Sequence, residues 1–173
     1  FRGSAVTSVD FSKLTQLTSI GNYAFYNCTG LTTLNFPTTL VTVGEYAFSG
    51  CTGLTEVDFD DNTVLESIGQ YAFDGAGSAT APATVRLPVG AQGWALGYYS
   101  TSYSSGTRYA FVSSNFTQID FATGTRITEI PQYTFSEMAR LTSIAIPEGV
   151  TSIGNYAFRY SSALQSVTLS TTV

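Results

Sequence analysis

The sequence predicts a solenoid, a single domain of stacked coils that each contribute one short β-strand. The first observation is a recurring tripeptide, Tyr-Ala-Phe, with its tyrosine at Tyr23, Tyr46, Tyr71, Tyr109 and Tyr156, and as Tyr-Thr-Phe at Tyr133. The second is a trio of apolar residues that usually stands six, nine and eleven residues after the phenylalanine, as at Leu31, Leu34 and Phe36. Self-similarity at a period of about 20 to 50 residues is typical of repeat architectures.

The last two residues of each trio predict a strand, because side chains two positions apart lie on one face of an extended chain. That face forms the core, and the residue between them faces solvent. Seven strands follow, with the core pairs Val9 and Phe11, Leu34 and Phe36, Val57 and Phe59, Val85 and Leu87, Ile119 and Phe121, Ile144 and Ile146, and Val167 and Leu169. Paired in parallel, they would form one sheet about 29 Å long.

The segment that carries Tyr-Ala-Phe begins with a glycine in four coils, at Gly21, Gly44, Gly69 and Gly154, and with Pro131 in another. Proline holds φ at about −65°, so a position that accepts both glycine and proline is not expected to have a positive φ. The position instead predicts the start of a helical turn, where glycine occurs because a side chain is unnecessary. We therefore expect a helix of one or two turns over residues such as Glu45 to Ser49.

Composition narrows the classes of function. The net charge of −5 and a pI near 4.4 disfavour a nucleic-acid partner or an anionic membrane surface. The sequence contains no run of about 18 apolar residues, so it predicts no membrane-spanning helix. The absence of histidine weakens the enzyme classes that use it as a base, and we predict neither catalytic residues nor a cofactor.

One domain over residues 1–173 is expected, as a fragment of a longer protein, because the chain does not begin with Met and starts inside a coil. Residues 74–107 depart most from the period, with 15 residues inserted between Phe73 and Phe111. The inserted aromatic residues Trp94, Tyr98, Tyr99 and Tyr103 are candidate binding residues, since such side chains supply interface anchors and stack on sugars. Alternatively, this segment covers an irregular coil, with WALGYY as a short helix.

The pattern IGxYAFxxCxxLxxLxFP, seen from Ile20 to Pro37, resembles the 23-residue leucine-rich repeat of the BspA-like type, also called the Treponema pallidum type. This family is found in surface proteins of host-associated bacteria and in some protozoan parasites. The resemblance implies a right-handed leucine-rich repeat solenoid of α/β class, with a parallel sheet on the concave side and short helices or turns on the convex side. It also implies adhesion or binding of host and matrix proteins, without catalytic residues, and it offers a junction between two sub-arrays of repeats as a further alternative for Pro88 to Tyr99.

Cys28 and Cys51 stand 23 residues apart, at one repeat position of adjacent coils. Their Cα atoms should lie about 5 Å apart, within the window for a disulfide, but parallel stacking keeps the Cβ atoms farther apart than a relaxed bridge prefers. Ala76, Met138 and Ser161 occupy the equivalent places. We therefore expect unbonded, buried thiols, with a disulfide as the alternative.

Seven of the twelve acidic residues lie between Glu45 and Asp74, and five arginines lie from Arg86 onward. The acidic group predicts a solvated face. The alternative is a hard-cation site at Asp58, Asp60 and Asp61, since calcium requires several clustered oxygens, although the segment lacks the spacing of an EF-hand loop.

The solvent side of the predicted strands is a second candidate surface. Its binding candidates are Asn35, Glu56, Asp58, Arg86 and Asp120. The leading hypothesis is an extracellular or cell-surface module, monomeric, that binds a host or matrix protein with micromolar affinity. The alternatives are a carbohydrate-binding module that uses the aromatic insertion, and a structural spacer.

Overall fold

The computed structural model describes residues 1–59, 62–90 and 109–170, and these residues form a stack of coils. Twelve short strands are present in this part of the chain: β1 Val9–Asp10, β2 Ser19–Ile20, β3 Thr33–Asn35, β4 Thr42–Val43, β5 Glu56–Asp58, β6 Ser67–Ile68, β7 Thr84–Leu87, β8 Gln118–Phe121, β9 Glu129–Ile130, β10 Ser143–Ile146, β11 Ser152–Ile153 and β12 Ser166–Leu169. We number the coils by their described residues: coil 1 is 1–20, coil 2 is 21–43, coil 3 is 44–68, coil 4 is 69–90, coil 5 is 109–130, coil 6 is 131–153 and coil 7 is 154–170.

All seven strands predicted from the apolar trios are present, and they pair in parallel. Strands β1, β3, β5, β7 and β8 form one sheet, called here the main sheet, and β10 pairs separately with β12. Equivalent residues of adjacent coils stand opposite one another, as Leu34 does to Val57 and Val57 to Val85. The prediction of a single seven-stranded sheet is wrong, because no ladder joins β8 to β10 in the described strands.

A second row of two-residue strands, which was not predicted from the sequence, closes the other side of coils 1, 2, 3, 5 and 6. Strands β2, β4 and β6 form one parallel sheet, and β9 pairs with β11. In β2, β4, β6 and β9 the second residue is buried and the first is not, so each strand contributes one apolar side chain to the core. The core therefore lies between two rows of strands.

The recurring phenylalanine forms the centre of the core. Successive rings stack in one column, with centroids 5.3 Å apart from Phe25 to Phe48 and from Phe48 to Phe73, and 5.1 Å apart from Phe73 to Phe111. From Phe111 to Phe135 the separation increases to 6.2 Å, and the rings tilt by 36°. The predicted alignment of equivalent residues, coil upon coil, is confirmed, and its widest step falls between coils 5 and 6.

The predicted helix at Glu45–Ser49 is wrong, since the described residues contain no helix and this segment is a hydrogen-bonded turn. Tyr46 has a φ of 53°, and Tyr23, Tyr71, Tyr133 and Tyr156 lie in the same left-handed region, where a right-handed helix cannot continue. The N–H of Phe48 donates to the carbonyl of Ala72 in the next coil at 2.8 Å. Because alternate N–H groups are used between coils in this way, they are not available for bonds within a helix.

Glycine recurs at the start of this turn for a different reason from the one that the sequence suggested. A Cβ built on Gly44 would stand 2.5 Å from the backbone N of Asn22 in the preceding coil, and one on Gly69 would stand 2.7 Å from the backbone N of Glu45. A side chain is therefore excluded by the close approach of the coils and is not merely unnecessary. The expectation that this position has no positive φ is confirmed.

Cys28 and Cys51 are buried and unbonded, as expected. Each thiol donates to a backbone carbonyl of the preceding coil, Cys51 to Phe25 O at 3.1 Å, and Ser161 makes the equivalent bond to Phe135 O at 2.7 Å. Cys28, Cys51 and Ser161 thus bond to the preceding coil in the same way. Burial raises the pKa of the Cys51 thiol to about 12.

Asn62 stabilises the junction between coils 2 and 3. Its amide nitrogen donates to Pro37 O at 3.1 Å and to Leu40 O at 2.8 Å, and its carbonyl oxygen accepts from the N–H groups of Val64 and Leu65 at 2.9 and 2.7 Å. The side chain is 1% exposed, and all of its donor and acceptor groups have partners.

Candidate binding surface

The solvent side of the main sheet brings four of the predicted binding residues into one row. The register places Asn35 opposite Asp58, Asp58 opposite Arg86, and Arg86 opposite Asp120. Side chains on adjacent parallel strands at equivalent positions lie about 4.8 Å apart, so the row forms a continuous strip across four coils. Glu56, the fifth candidate, stands in the neighbouring row, between Thr33 and Thr84.

Arg86 links the acidic residues of the strip. Its Nη1 lies 2.5 Å from Glu56 Oε1 and 3.2 Å from Asp58 Oδ2. The guanidinium donates hydrogen bonds to both carboxylates, and these bonds, the one to Glu56 first, raise the pKa of Arg86. The pairing connects the two early acids to a later arginine, so the charge separation along the sequence is partly neutralised across the strands.

Asp120 lies at the far end of the row, where the Gln118 amide donates to its Oδ1 at 2.7 Å. Gln118 and Asp120 belong to β8, the last strand of the main sheet. An open cleft of about 550 Å³, called here the seam, begins at this edge and is lined by residues of β8, residues of β10 and Pro147. The strip therefore ends in a cleft and not in another paired strand.

The remaining predicted sites lie wholly or partly outside the described residues. Trp94, Tyr98, Tyr99 and Tyr103 all fall in the undescribed range 91–108, as does the expected WALGYY helix. Asp60 and Asp61 of the cation candidate also lie outside, while Asp58 is the partner of Arg86. Within the part of the chain that the structure describes, no group of three potential ligands is placed to hold a metal ion.

A tyrosine column on the turn side was missed as a surface feature. Tyr46 stacks on Tyr23 at 4.9 Å and on Tyr71 at 4.7 Å between ring centroids. The recurrence of the tripeptide was the signal for it. Because the ring faces are used against one another, only ring edges and hydroxyl groups are presented to a partner.

The seam was also missed. The alternation places Asp120 and Ala145 on the solvent side of their strands, but no cleft was predicted there. The available signal was the spacing in coil 5, where Ile119 follows Phe111 by eight residues, whereas Ile144 follows Phe135 by nine.

Comparison with known proteins identifies the repeat. A family model described as a BspA type leucine rich repeat region matches six copies over residues 1–83 and 99–173. The chain belongs to the BspA-type leucine-rich repeat family. The fold of this BspA-type chain is the parallel-strand leucine-rich repeat solenoid that the resemblance implied.

Solved structures give matches with low identity. A leucine-rich repeat protein of T. pallidum is 23% identical, with a TM-score of 0.47, over 87% of this chain and 51% of its own. A leucine rich cell surface protein from Faecalibacterium prausnitzii is 19% identical, with a TM-score of 0.41, over 94% of this chain and 59% of its own. The BspA-type chain thus spans about half the length of these two proteins. No match to a curated protein was found.

Proposed function

We propose that this BspA-type chain is an extracellular, cell-surface binding module whose main-sheet face adheres to a host or matrix protein. The observation that carries the proposal is the strip in which Asn35, Asp58, Arg86 and Asp120 stand in register on four adjacent strands. Family membership supports a surface location, because BspA-like repeats resemble those of bacterial surface proteins. Within the described residues, no helix is long and apolar enough to cross a membrane.

The chemistry of the strip favours a broad polar contact. Asn35 is exposed, Asp58 and Arg86 are half-buried, and each has a different charge. Such a surface offers hydrogen bonds and charge complementarity, which determine specificity and association rate more than affinity. Since the strip lacks large apolar anchors, we expect affinities in the micromolar range.

Surface plasmon resonance against a panel of purified extracellular matrix and host-surface proteins tests the proposal. Asn35→Arg places a long cation in the strip, and we expect it to weaken binding at least tenfold. Asn155→Arg makes the same change at an exposed position of the turn, outside the strip, and serves as the matched control. Binding that responds equally to both variants would show that the strip is not the contact surface.

The two alternative functions give different outcomes in the same experiment. Binding to glycans that is abolished by Trp94→Ala would favour a carbohydrate module built on the inserted segment. No detectable binding to any protein or glycan of the panel would favour a structural spacer. A surface location is tested separately by protease treatment of intact cells, which should degrade the module while leaving cytoplasmic proteins intact.

A further inference from the structure

The seam between β8 and β10 is a discrete binding site, and we propose that it takes a neutral saccharide of one or two sugar units. The proposal goes beyond protein adhesion. It does not involve the inserted aromatic segment, and of the strip it shares only Asp120, at the unpaired edge of the main sheet. Three observations carry it: the interruption of the ladder, the backbone groups that the interruption leaves facing the cleft, and the polar side chains at its rim.

The interruption is specific to one step of the stack. In coils 2 and 3 the core-facing residue at the end of the strand donates its N–H to the next coil, as Phe36 does to Asp58 O at 3.1 Å and Phe59 to Arg86 O at 3.0 Å. Phe121 is the equivalent residue of coil 5, and among the described strands no ladder joins its strand, β8, to β10. Coils 5 and 6 stay joined elsewhere, by the β9 and β11 pair and by Ser113 N to Ser136 O at 3.1 Å.

The strand alternation identifies the groups that face the seam. In β8, the N–H of Gln118 donates toward β7, and Ala122 just beyond the strand does the same. Because successive residues of a strand direct their backbone groups to opposite sides, those of Ile119 and Phe121 face the seam. By the same alternation in β10, which pairs with β12 on its other side, Ser143 and Ala145 present N–H and C=O groups from the opposite wall.

The cleft combines these groups with a polar rim and an apolar floor. Asp120, Gln118 and Ser143 supply a carboxylate, an amide and a hydroxyl, while Phe121 and Pro147 supply apolar surface. A volume of about 550 Å³ falls within the range of small-ligand sites, which combine an apolar lining with a few placed polar groups. A single water molecule would fill only a small part of it.

The mixture of donors and acceptors identifies the ligand class. An anion would meet the Asp120 carboxylate, and a simple cation would leave the backbone N–H groups without acceptors. An inserted peptide strand needs its neighbours about 9.6 Å apart, twice the ordinary spacing, and the bonds that still join coils 5 and 6 oppose that opening. A sugar seated at the open mouth of the seam needs no such opening. Each sugar hydroxyl both donates and accepts, and the C–H face of a pyranose ring can pack on Phe121 and Pro147, so a neutral saccharide matches the groups of both walls.

Saturation-transfer NMR with a panel of neutral monosaccharides and disaccharides, including glucose, galactose, N-acetylglucosamine and cellobiose, tests the site. We expect at least one member to bind with a millimolar dissociation constant. Ala145→Phe, which fills the seam, should weaken that binding at least tenfold, and Asp120→Asn should weaken it about threefold. Asn35→Phe makes a similar addition at the same repeat position on a paired strand, and it should change saccharide binding less than twofold.

The outcomes separate this inference from the proposed adhesive function. No saturation transfer from any saccharide, or equal losses in Ala145→Phe and Asn35→Phe, would overturn it and leave protein binding through the strip unaffected. Circular dichroism of each variant establishes that it is folded. If Ala145→Phe does not fold, chemical shift changes at the amides of Ile119 and Ala145 in the native chain decide the matter: saccharide-dependent shifts there support the seam, and their absence contradicts it.

Discussion

Alanine substitution at two equivalent glycines should change stability in opposite directions. Gly21 and Gly44 occupy one repeat position, and neither has a positive φ. No described atom lies within 4 Å of a Cβ built on Gly21, whereas a Cβ on Gly44 would lie 2.5 Å from Asn22 N and 2.6 Å from the carbonyl carbon of Gly21. Only the contact with the preceding coil distinguishes the two sites.

The magnitudes follow from that contact. An ordinary contact of a Cβ is 3.4 to 4 Å, so Gly44→Ala must displace coil 3 from coil 2 by roughly 1 Å. This movement would disturb the bonds from Glu45 N to Asn22 Oδ1 and from Tyr23 N to Glu45 O, both 2.9 Å long. We expect a loss of about 1–3 kcal/mol from overpacking. Gly21→Ala should instead stabilise by about 0.4–1 kcal/mol, because alanine restricts the unfolded chain without straining the folded one.

Urea and thermal unfolding followed by circular dichroism measure both variants against the native chain. A difference of about 2 kcal/mol between them corresponds to about 4–8 °C in Tm for a chain of this size. If Gly44→Ala were as stable as Gly21→Ala, the close approach of adjacent coils would not be the reason that glycine recurs at this position.

Three further predictions concern buried or unpaired groups. Asn62→Ala removes the side-chain amide that is the hydrogen-bond partner of four backbone groups, and we expect it to lower the free energy of unfolding in urea by about 3 kcal/mol. Thr63→Ala changes an exposed neighbour and should lower it by less than about 0.5 kcal/mol. Because the pKa of Cys51 is raised to about 12 in the folded chain, the buried thiol contributes to stability fully below pH 9, and this contribution is lost as the pH rises from about 9 to about 12. At pH 8, native Cys51 should therefore resist a thiol reagent that labels the unfolded chain at once. Labelling of the folded and unfolded chains at equal rates would contradict this. In hydrogen exchange, the amide of Asp120, which faces β7, should exchange at least tenfold more slowly than that of Ile119, which faces the seam, and equal protection would show that the seam is paired in solution.

The stack of coils could be predicted from the sequence because its signal is repeated. The spacing of Phe25, Phe48 and Phe73 determined the column, and the apolar trios determined the strands. The local shape of the turn could not be predicted in the same way. A left-handed φ at Tyr46 is unfavourable for a non-glycine residue, and it is maintained by bonds between coils that a single-coil argument does not contain.

The candidate binding strip could also be predicted, because alternation along each strand places Asn35, Asp58, Arg86 and Asp120 on the solvent side. The pairing of Arg86 with Glu56 required the register between β5 and β7, and coil 4 has three extra residues before β7. Sequence analysis considered the acids near Asp58 as a cation site, and it overlooked Asn62, whose importance comes from bonds to two carbonyls of the preceding coil. In both cases the missing information was the contact between coils.

The position of the seam follows from differences in coil length. Coil 5 is one residue shorter than usual before its strand, but coil 1 has the same spacing, and β1 still pairs with β3, so shortness alone does not open the ladder. Coil 4 is also three residues longer there, and Arg140 of coil 6 reaches past coil 5 to donate to the carbonyls of Ser78 and Ala81 in coil 4. A long coil and a short coil therefore meet beside the step at which the ladder between β8 and β10 is interrupted. In a structure made of equivalent coils, a cleft that can bind a ligand of its own can arise where adjacent coils differ in length. In this chain that difference lies at the end of the charged strip.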